Sequence, residues 1–201
     1  MSALLSSGAE ASLPSTFTTS EALNAGMHPR ELYGLRDEGI ILELSRGVFR
    51  RADAPAATWP DLLAIQLRSP VSVVCGLTAA SVHELTDEMP GQIQIAVPRN
   101  HRAPVIRYPP TRVMKFDAAT FELGVTTIEA APDELVRIYS PVRTVVDLMR
   151  LRHRLGEAAA FGALRRYLGR PGAEPGELLR LAAKLNVLGP TRKAVDVVLA
   201  G

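Results

Sequence analysis

The sequence predicts an α+β protein, with an N-terminal winged helix-turn-helix followed by a mixed α/β domain that ends in a helical bundle. Three observations support this prediction. Two short helical segments, separated by a glycine-containing turn, precede a hairpin pattern near the N-terminus. Several short β-type segments occupy the middle of the chain. The last part of the chain shows helical periodicity and no strand pattern.

The composition is that of a globular protein with one large domain or two small ones. The 201 residues are 47% hydrophobic and 22% charged, so they can bury a sizeable core. No apolar run is long enough for a transmembrane helix, and the N-terminus lacks the features of a secretory signal. The single cysteine, Cys75, cannot form an internal disulfide. We therefore expect a cytoplasmic protein without membrane contact.

Two short helices open the first predicted domain, which covers residues 16–52 and follows a Ser/Ala/Gly-rich tail over 1–15 that we expect to be flexible. A Thr or Ser at positions 18–20 can cap the first helix, and Gly26 suits its end. Pro29 stands where the first position of a second helix tolerates proline. Two helices joined in this way predict a helix-turn-helix.

A hairpin follows the second helix, which we expect to stop at Gly39. Residues 40–51 alternate between apolar and polar side chains around a turn at Ser45-Arg46-Gly47. A hairpin in this position predicts that the first domain is a winged helix.

The second predicted domain, residues 61–201, begins after an Ala/Pro-rich linker at 53–60. Its expected strands cover residues 71–75, 92–97, 103–108, 111–116, 125–130 and 134–139. Ser140-Pro141 is a capping pair that begins a helix reaching about Leu151. Its other expected helices cover residues 61–68, 78–85, 156–168, 174–185 and 191–199.

The second helix of the winged helix has two different sides. Leu32 and Leu35 face the small core, which leaves Arg30, Tyr33 and Arg36 on the exposed side. An exposed arginine on such a helix can reach guanine in the major groove, and a basic hairpin suits the DNA backbone or the minor groove. The expected DNA-contacting residues are Arg30, Tyr33, Arg36, Ser45, Arg46, Arg50 and Arg51.

The charge balance leaves a second interpretation open. Residues 16–52 hold five Arg and five acidic residues, so this winged helix could instead be a module that docks a protein. The placement of the charges favours DNA, because residues 44–52 hold three Arg and no acid.

The segment FTTSEALNAGMHPRELYGLRDEGIILELSRGVFRR resembles the N-terminal domain of AbiEi-type antitoxins of type IV toxin–antitoxin systems. The resemblance continues through GLTAASVHELTDEMP, QIQIAVPRN and SPVRTVVDLMR, and it covers about residues 16–152. It implies an autorepressor that binds repeats in its own promoter and counteracts a toxin, typically a nucleotidyltransferase encoded nearby. His28-Pro29 departs from the small polar or basic residues that relatives often carry, so the bases that are read stay open.

The second domain carries two further basic regions. Residues 99–115 contain no acid, and they suit nucleic acid, a phosphate or an acidic partner, or form a solvated loop. Their basic side chains are Arg99, His101, Arg102, Arg107, Arg112 and Lys115. A second cluster, between Arg137 and Arg170, holds eight Arg and two acidic residues. It could bind the toxin or the DNA backbone, or face solvent.

No catalytic motif is recognisable, so enzymatic activity stays unassigned. The chain has no HExxH pair, no P-loop and no kinase motif, and no lysine follows an acid by two residues as in D…(D/E)-x-K nucleases. Four histidines and one cysteine, widely spaced, predict no metal site. One weak signal remains: a strand, then Gly76, then a helix near Thr78 could hold a phosphate on free N–H groups.

Two alternatives to direct antitoxin action therefore stay open. In one, the protein inactivates its toxin by phosphoryl transfer, and only then would a nucleotide and Mg²⁺ be needed. Otherwise we expect no cofactor. In the other, it is a stand-alone winged-helix transcription factor whose second domain senses a ligand. The expected partners are double-stranded DNA of its own promoter and a toxin encoded nearby.

Overall fold

The structure is a computed structural model, and it describes residues 13–200. The predicted α+β fold class is confirmed. The chain forms two compact units, Met1–Pro70 with Glu129–Leu135, and Val71–Ile128 with Val136–Gly201. The boundary at Pro70 lies later than the expected linker at 53–60, because the helix after that linker packs against the sheet of the first unit.

The first unit has the helix-turn-helix and hairpin that the sequence predicts, with one additional strand. A three-stranded antiparallel sheet has the order β1-β3-β2, so β3 lies in the centre. The unpredicted strand is β1, which has only three residues. The elements are β1 (Thr16–Thr18), α1 (Thr19–Asn24), α2 (Pro29–Asp37), β2 (Ile41–Ser45), β3 (Val48–Arg51) and α3 (Pro60–Arg68).

Side-chain caps fix where the two short helices begin. Thr18 accepts a hydrogen bond from the Glu21 N–H, and the Glu21 carboxylate accepts one from the Thr18 N–H, which is a capping box. At α2, His28 Nδ1 accepts a hydrogen bond from the Arg30 N–H at 3.2 Å, and Pro29 occupies the first helical position. Gly39 then adopts a positive φ of 75° and ends the helix.

A small hydrophobic core holds the first unit together. It consists of Leu13, Phe17, Ala22, Met27, Leu32, Leu35, Ile41 and Phe49. Leu13 is buried in this core, and the Ser15 carbonyl accepts a hydrogen bond from the Arg51 N–H. The last part of the expected tail is therefore ordered by packing and pairing. The rest of that tail, residues 1–12, lies outside the described residues.

The second unit contains most of a mixed sheet of order β6-β5-β4-β8-β7; residues 129–135, at the end of β7 and the start of β8, belong to the first unit. Strand β4 runs parallel to β8 and antiparallel to β5, and β5 runs parallel to β6. The strands are β4 (Val73–Val74), β5 (Ile93–Pro98), β6 (Thr111–Phe116), β7 (Val125–Ala131) and β8 (Glu134–Tyr139). The strand expected at 103–108 is wrong, because Pro104 and the following Pro109-Pro110 cannot donate ladder hydrogen bonds.

Five helices complete the second unit and share one large core. Ser140 caps α5 by accepting a hydrogen bond from the Arg143 N–H, and Pro141 is its first residue, as the sequence predicts. Gly156, with a φ of 110°, separates α5 from α6. The helices are α4 (Gly76–Val82), α5 (Pro141–Leu155), α6 (Glu157–Leu168), α7 (Pro175–Lys184) and α8 (Leu188–Ala200).

Candidate nucleic-acid interface

Helix α2 presents Arg30 and Tyr33 to solvent, as the sequence predicts, while Leu32 and Leu35 are buried. The Tyr33 ring contacts the buried Phe49 ring edge-on, with centroids 6.3 Å apart. This contact holds the ring while much of it stays exposed. Within residues 13–200, no carboxylate pairs with the Arg30 guanidinium. Arg30 is therefore available to an external acceptor.

Arg36 lies beside Tyr33, but its guanidinium is already engaged. It pairs with Asp37 at 2.7 Å and with Glu43 at 3.2 Å, and its Cζ atom lies 4.9 Å from the centre of the Tyr33 ring. The hydrogen bonds that Arg36 donates to Asp37, and to a smaller extent to Glu43, raise the pKa of its guanidinium above its ordinary value. A DNA contact by Arg36 would have to compete with two carboxylates.

The wing turn is tied to both helices of the helix-turn-helix. Gly47 has a φ of 74°, and its carbonyl accepts a hydrogen bond from the Thr19 N–H at 3.0 Å. Its own N–H donates to the Glu43 carboxylate at 3.3 Å. Glu43 thus connects α2 with the wing turn, although nothing in the sequence singles it out. Arg46, at the same turn, has an exposed side chain.

The expected roles of Arg50 and Ser45 as DNA contacts are corrected by their burial. The Arg50 residue is only 5% exposed, and its guanidinium pairs with Glu134 and donates to the Thr16 hydroxyl and the Pro55 carbonyl. The physical reason is the additional strand, because β1 makes β3 the central strand of the sheet. Ser45 is also buried, at the end of β2.

Arg51, at the end of β3, is partly exposed and pairs with Asp53 at 2.8 Å. Its guanidinium donates to both carboxylate oxygens, so the ion pair is bidentate. A phosphate would have to displace this carboxylate. Of the seven expected contacts, Arg30, Tyr33 and Arg46 are thus the ones that the structure leaves most accessible.

The comparison with protein families bears on this unit. Residues 9–52 match the family model described as "Transcriptional regulator, AbiEi antitoxin". This segment is similar to the AbiEi family, and we refer to it below as the AbiEi-type domain. The match confirms the resemblance stated from the sequence over residues 16–52. No curated protein matches the chain.

A solved structure shows a similar overall fold. The crystal structure of the RV2827C protein from Mycobacterium tuberculosis covers 94% of this chain, and the match spans 78% of that protein. The TM-score is 0.52 and the sequence identity is 15%. At this identity the similarity concerns the fold alone.

The charges are divided unequally between the AbiEi-type unit and the second unit. The unit that contains the AbiEi-type domain carries six Arg, no Lys and eleven acidic residues. The second unit carries 17 basic and ten acidic residues. The positive charge of the protein therefore belongs to the second unit, and any DNA contact by the AbiEi-type domain must depend on a few locally placed side chains.

The basic segment 99–115 of the second unit lies at the surface. Its six expected side chains are all exposed: Arg99, His101, Arg102, Arg107, Arg112 and Lys115. Arg112 and Lys115 project from β6, which is an outer strand of the sheet. Lys115 Nζ donates to the carbonyl of His101 at 2.6 Å and orders the preceding loop. The segment is thus a surface-exposed cationic region.

The phosphate site expected at Gly76 and Thr78 is corrected by a side chain that the sequence did not single out. Gln94 Oε1 accepts a hydrogen bond from the Leu77 N–H at 2.9 Å, and the Thr78 hydroxyl accepts one from the Gln94 N–H at 2.9 Å. All four of these residues are buried. Gln94 therefore occupies the position where a phosphate would have to bind.

The motif SPVRTVVDLMR has a structural role. Arg143 is 0% exposed and pairs with Asp147 at 2.8 Å, one helical turn away on α5. Its guanidinium lies over the Tyr139 ring at 4.4 Å and donates to the carbonyls of Thr120 and Leu123. Arg150 pairs with the other oxygen of Asp147. The expectation of a partner-binding or solvent face is therefore corrected at Arg143, which belongs to the core.

An apolar pocket lies in the first unit and is lined in part by Leu35 of α2. Its volume is about 240 Å³. Its walls include Phe17, Met27, Leu35 and Ile41, and Arg51 and Asp53 lie at its edge. Among residues 13–200, no three His, Cys, Asp or Glu side chains come together as a metal site, and no helix has the length and apolar character to cross a membrane.

Proposed function

We propose that this protein is the cytoplasmic antitoxin of a type IV toxin–antitoxin pair. In this proposal it represses its own operon by binding promoter repeats through the AbiEi-type domain. Its second unit counteracts a nucleotidyltransferase-like toxin encoded nearby. The match of residues 9–52 to a transcriptional regulator of the antitoxin class supports the regulatory part.

The observation that carries the DNA-binding role is the placement of Arg30 and Arg46. Arg30 is exposed near the start of α2, which is the helix that enters the major groove in helix-turn-helix proteins. Arg46 is exposed at the wing turn, where a cation can contact the DNA backbone. Tyr33, held by Phe49, adds a hydroxyl and a ring edge on the same helix.

Because the first unit carries more acidic than basic residues, we propose that the two units contribute to DNA binding in different ways. The α2 surface would select the sequence, because Arg can make bidentate contacts to guanine. The surplus of positive charge on the second unit would supply sequence-independent attraction to phosphates. This proposal predicts strong salt dependence even though the AbiEi-type domain is not itself basic.

Fluorescence anisotropy with the upstream DNA of the gene and with a scrambled duplex tests the regulatory part. Arg30→Ala should cost about 1–3 kcal/mol on the upstream DNA and much less on the scrambled duplex. Arg180→Ala, which removes an exposed arginine from α7 of the second unit, is the matched control; it should lower both affinities slightly and equally and leave their ratio unchanged. Equal affinities of the wild type for both duplexes would contradict operator recognition.

For toxin neutralisation we propose an action other than covalent modification of the toxin. The alternative, covalent modification of the toxin, depended on a phosphate bound at the turn that follows β4. Gln94 fills this turn at Gly76, so that support is lost. Co-expression with the neighbouring gene tests this part of the proposal. Growth arrest by the toxin alone and growth with both proteins is the expected result. Growth arrest in both cases would exclude antitoxin activity.

A second candidate function, a ligand-responsive regulator, is favoured by the apolar pocket of the first unit. The pocket contacts Leu35 of the recognition helix and Ile41 of β2, so an occupant there could alter the position of α2. Small apolar molecules are the ligands that its apolar walls suit. A ligand of this class that raises the melting temperature and weakens upstream-DNA binding would support this function.

A further inference from the structure

Helix α3 lies outside the segment that matches the AbiEi family model, yet it contacts the wing turn at residues 45–47. Arg68, in the last turn of α3, donates a hydrogen bond from Nη1 to the carbonyl of Arg46. The two arginines are 22 residues apart, so no local pattern in the sequence connects them. The wing turn therefore has a partner that sequence reasoning did not find.

Helix α3 is held firmly within the first unit. It packs against all three strands of the first sheet, and its side chains Leu62, Leu63 and Ile65 are buried. At its start, the Trp59 N–H donates a hydrogen bond to the Ala130 carbonyl at 3.0 Å. Because close-packed side chains allow little movement, the last turn of α3 is a rigid support for the residues it contacts.

The peptide group between Arg46 and Gly47 is bound at both of its polar atoms. Its carbonyl accepts the hydrogen bond from Arg68, and its N–H donates to the Glu43 carboxylate at 3.3 Å. A peptide group is planar, so these two contacts fix the orientation of the whole group. This constraint matters because Gly47, with a φ of 74°, has more accessible backbone conformations than other residues.

The orientation of this peptide group bears on the direction of the Arg46 side chain. That side chain is exposed, and within residues 13–200 it forms no ion pair. The first unit carries six Arg and eleven acidic residues, so its attraction to DNA depends on a few well-placed cations. A change in the wing turn that misdirects Arg46 would therefore remove a substantial part of this attraction.

We propose that Arg68 is a positioning residue for DNA binding, because it holds the 46–47 peptide group so that the Arg46 side chain meets a DNA phosphate. The inference rests on the proposed DNA-binding function. It extends the DNA-binding unit beyond residue 52 to the end of α3. Arg68 acts through Arg46 in this proposal, and its own guanidinium is assigned no phosphate.

The experiment uses the full chain and compares Arg68→Met, Arg46→Ala and the double variant. Methionine fills a similar length and cannot donate a hydrogen bond. Gln66→Met is the matched control, because it also removes a hydrogen bond from a side chain of α3 to a carbonyl, but the acceptor is Pro70, outside the wing. The measurements are anisotropy on upstream DNA over a salt series and hydrogen exchange of the Gly47 amide in the free protein.

We expect Arg68→Met to speed exchange of the Gly47 amide and to weaken DNA binding about fivefold, as for one lost hydrogen bond. The salt slope of DNA binding should fall by about one, because the phosphate contact of Arg46 is lost. The double variant should match Arg46→Ala in affinity and slope. Arg68→Lys, which keeps a donor, should recover part of the loss, and Gln66→Met should behave like the wild type.

The possible failures of this inference differ from a failure of the proposed function. Wild-type DNA affinity and slope in Arg68→Met would overturn the positioning role and leave the regulatory function standing. A slope that falls by about two in the double variant would instead make Arg68 a phosphate contact. Unchanged Gly47 exchange in Arg68→Met would show that Arg68 does not hold the turn. Absence of DNA binding by the wild type would overturn the proposed function itself.

Discussion

Glu43 on β2 accepts a hydrogen bond from Arg36 on the recognition helix at 3.2 Å, and its other carboxylate oxygen accepts one from the Gly47 N–H in the wing turn. One acidic side chain thus connects the two elements that we propose to contact DNA. Glu43 also pairs with the partly exposed guanidinium of Arg36 and so offsets its positive charge. Glu43 therefore opposes phosphate attraction while it aligns helix and wing.

Glu43→Ala should raise affinity for scrambled DNA and reduce the preference for upstream DNA. The first effect follows because a negative charge is lost and Arg36 keeps only Asp37 as an acidic partner. The second follows because the helix and the wing lose their common partner. Anisotropy on the two duplexes measures the ratio of affinities. Asp37→Ala, which also removes one acidic partner of Arg36 but leaves Glu43 and the wing in place, is the control; an identical loss of preference there would contradict the alignment role of Glu43.

Arg50→Ala should unfold the first unit more readily and should not act as a phosphate-contact variant. Removing one partner of a buried ion pair typically costs about 3–5 kcal/mol, because the other charge is left without compensation. Urea denaturation followed by circular dichroism measures this cost. Arg46→Ala, at the exposed wing turn, should leave the denaturation midpoint unchanged and lower the salt slope of DNA binding by about one. Equal stability of the two variants would contradict the burial of Arg50.

Asp147→Ala should destabilise the second unit by about 3–5 kcal/mol, because it leaves Arg143 buried without its carboxylate. The double variant Arg143→Met, Asp147→Leu should be markedly more stable than Asp147→Ala, since both buried charges are removed. Chemical denaturation of the three proteins checks the order. A double variant as unstable as the single one would show that Arg143 acts mainly through its bonds to the Thr120 and Leu123 carbonyls.

Gly76→Ala should cost about 2 kcal/mol or more, because Gly76 has a φ of 58° and a Cβ atom would overlap Gln94 Oε1. Adding Gln94→Ala should recover part of this loss by removing the overlap, although the Leu77 N–H then loses its acceptor. Thermal denaturation of the single and double variants measures the coupling. Simple additivity of the two changes would contradict the contact.

His83 should make folding stability sensitive to mild acid. Burial lowers the pKa of its imidazole, while its hydrogen bond to the Tyr139 carbonyl opposes this effect. The unfolded chain therefore binds a proton more readily than the folded one, and stability should fall as the pH drops below the ordinary histidine value of about 6.5. His83→Gln, which can still donate to the carbonyl, should flatten this part of the pH profile in urea denaturation. An unchanged profile would exclude His83 as the source.

The local signals in the sequence were sufficient to predict most elements of the fold. Thr18, Pro29 and Ser140 stand at helix starts in the structure, and Gly39 at a helix end, because capping depends on residues a few positions apart. The exposed side of α2 followed from helical periodicity alone. These predictions needed no knowledge of distant contacts.

The predictions that failed depended on long-range partners. Arg50 looked like an exposed wing residue because β1 is too short to predict, and its carboxylate partner, Glu134, lies far along the chain. The sequence suggests a phosphate-binding turn at Gly76 because it does not reveal that Gln94 fills this turn. Gln94 lies in an alternating strand pattern, in which a polar residue is expected to be exposed. Arg143 and Asp147 had helical i, i+4 spacing, which surface pairs share, so the spacing could not reveal that the pair is buried.

The assignment of residues 129–135 to the first unit has a practical consequence for truncation. A fragment that ends at Pro70 would contain every residue matched by the AbiEi family model, yet it would lack Glu134. Its Arg50 guanidinium would then be left in the interior without a counter-ion. Poor operator binding by such a fragment would result from the loss of Glu134, and it would not show how well α2 recognises DNA.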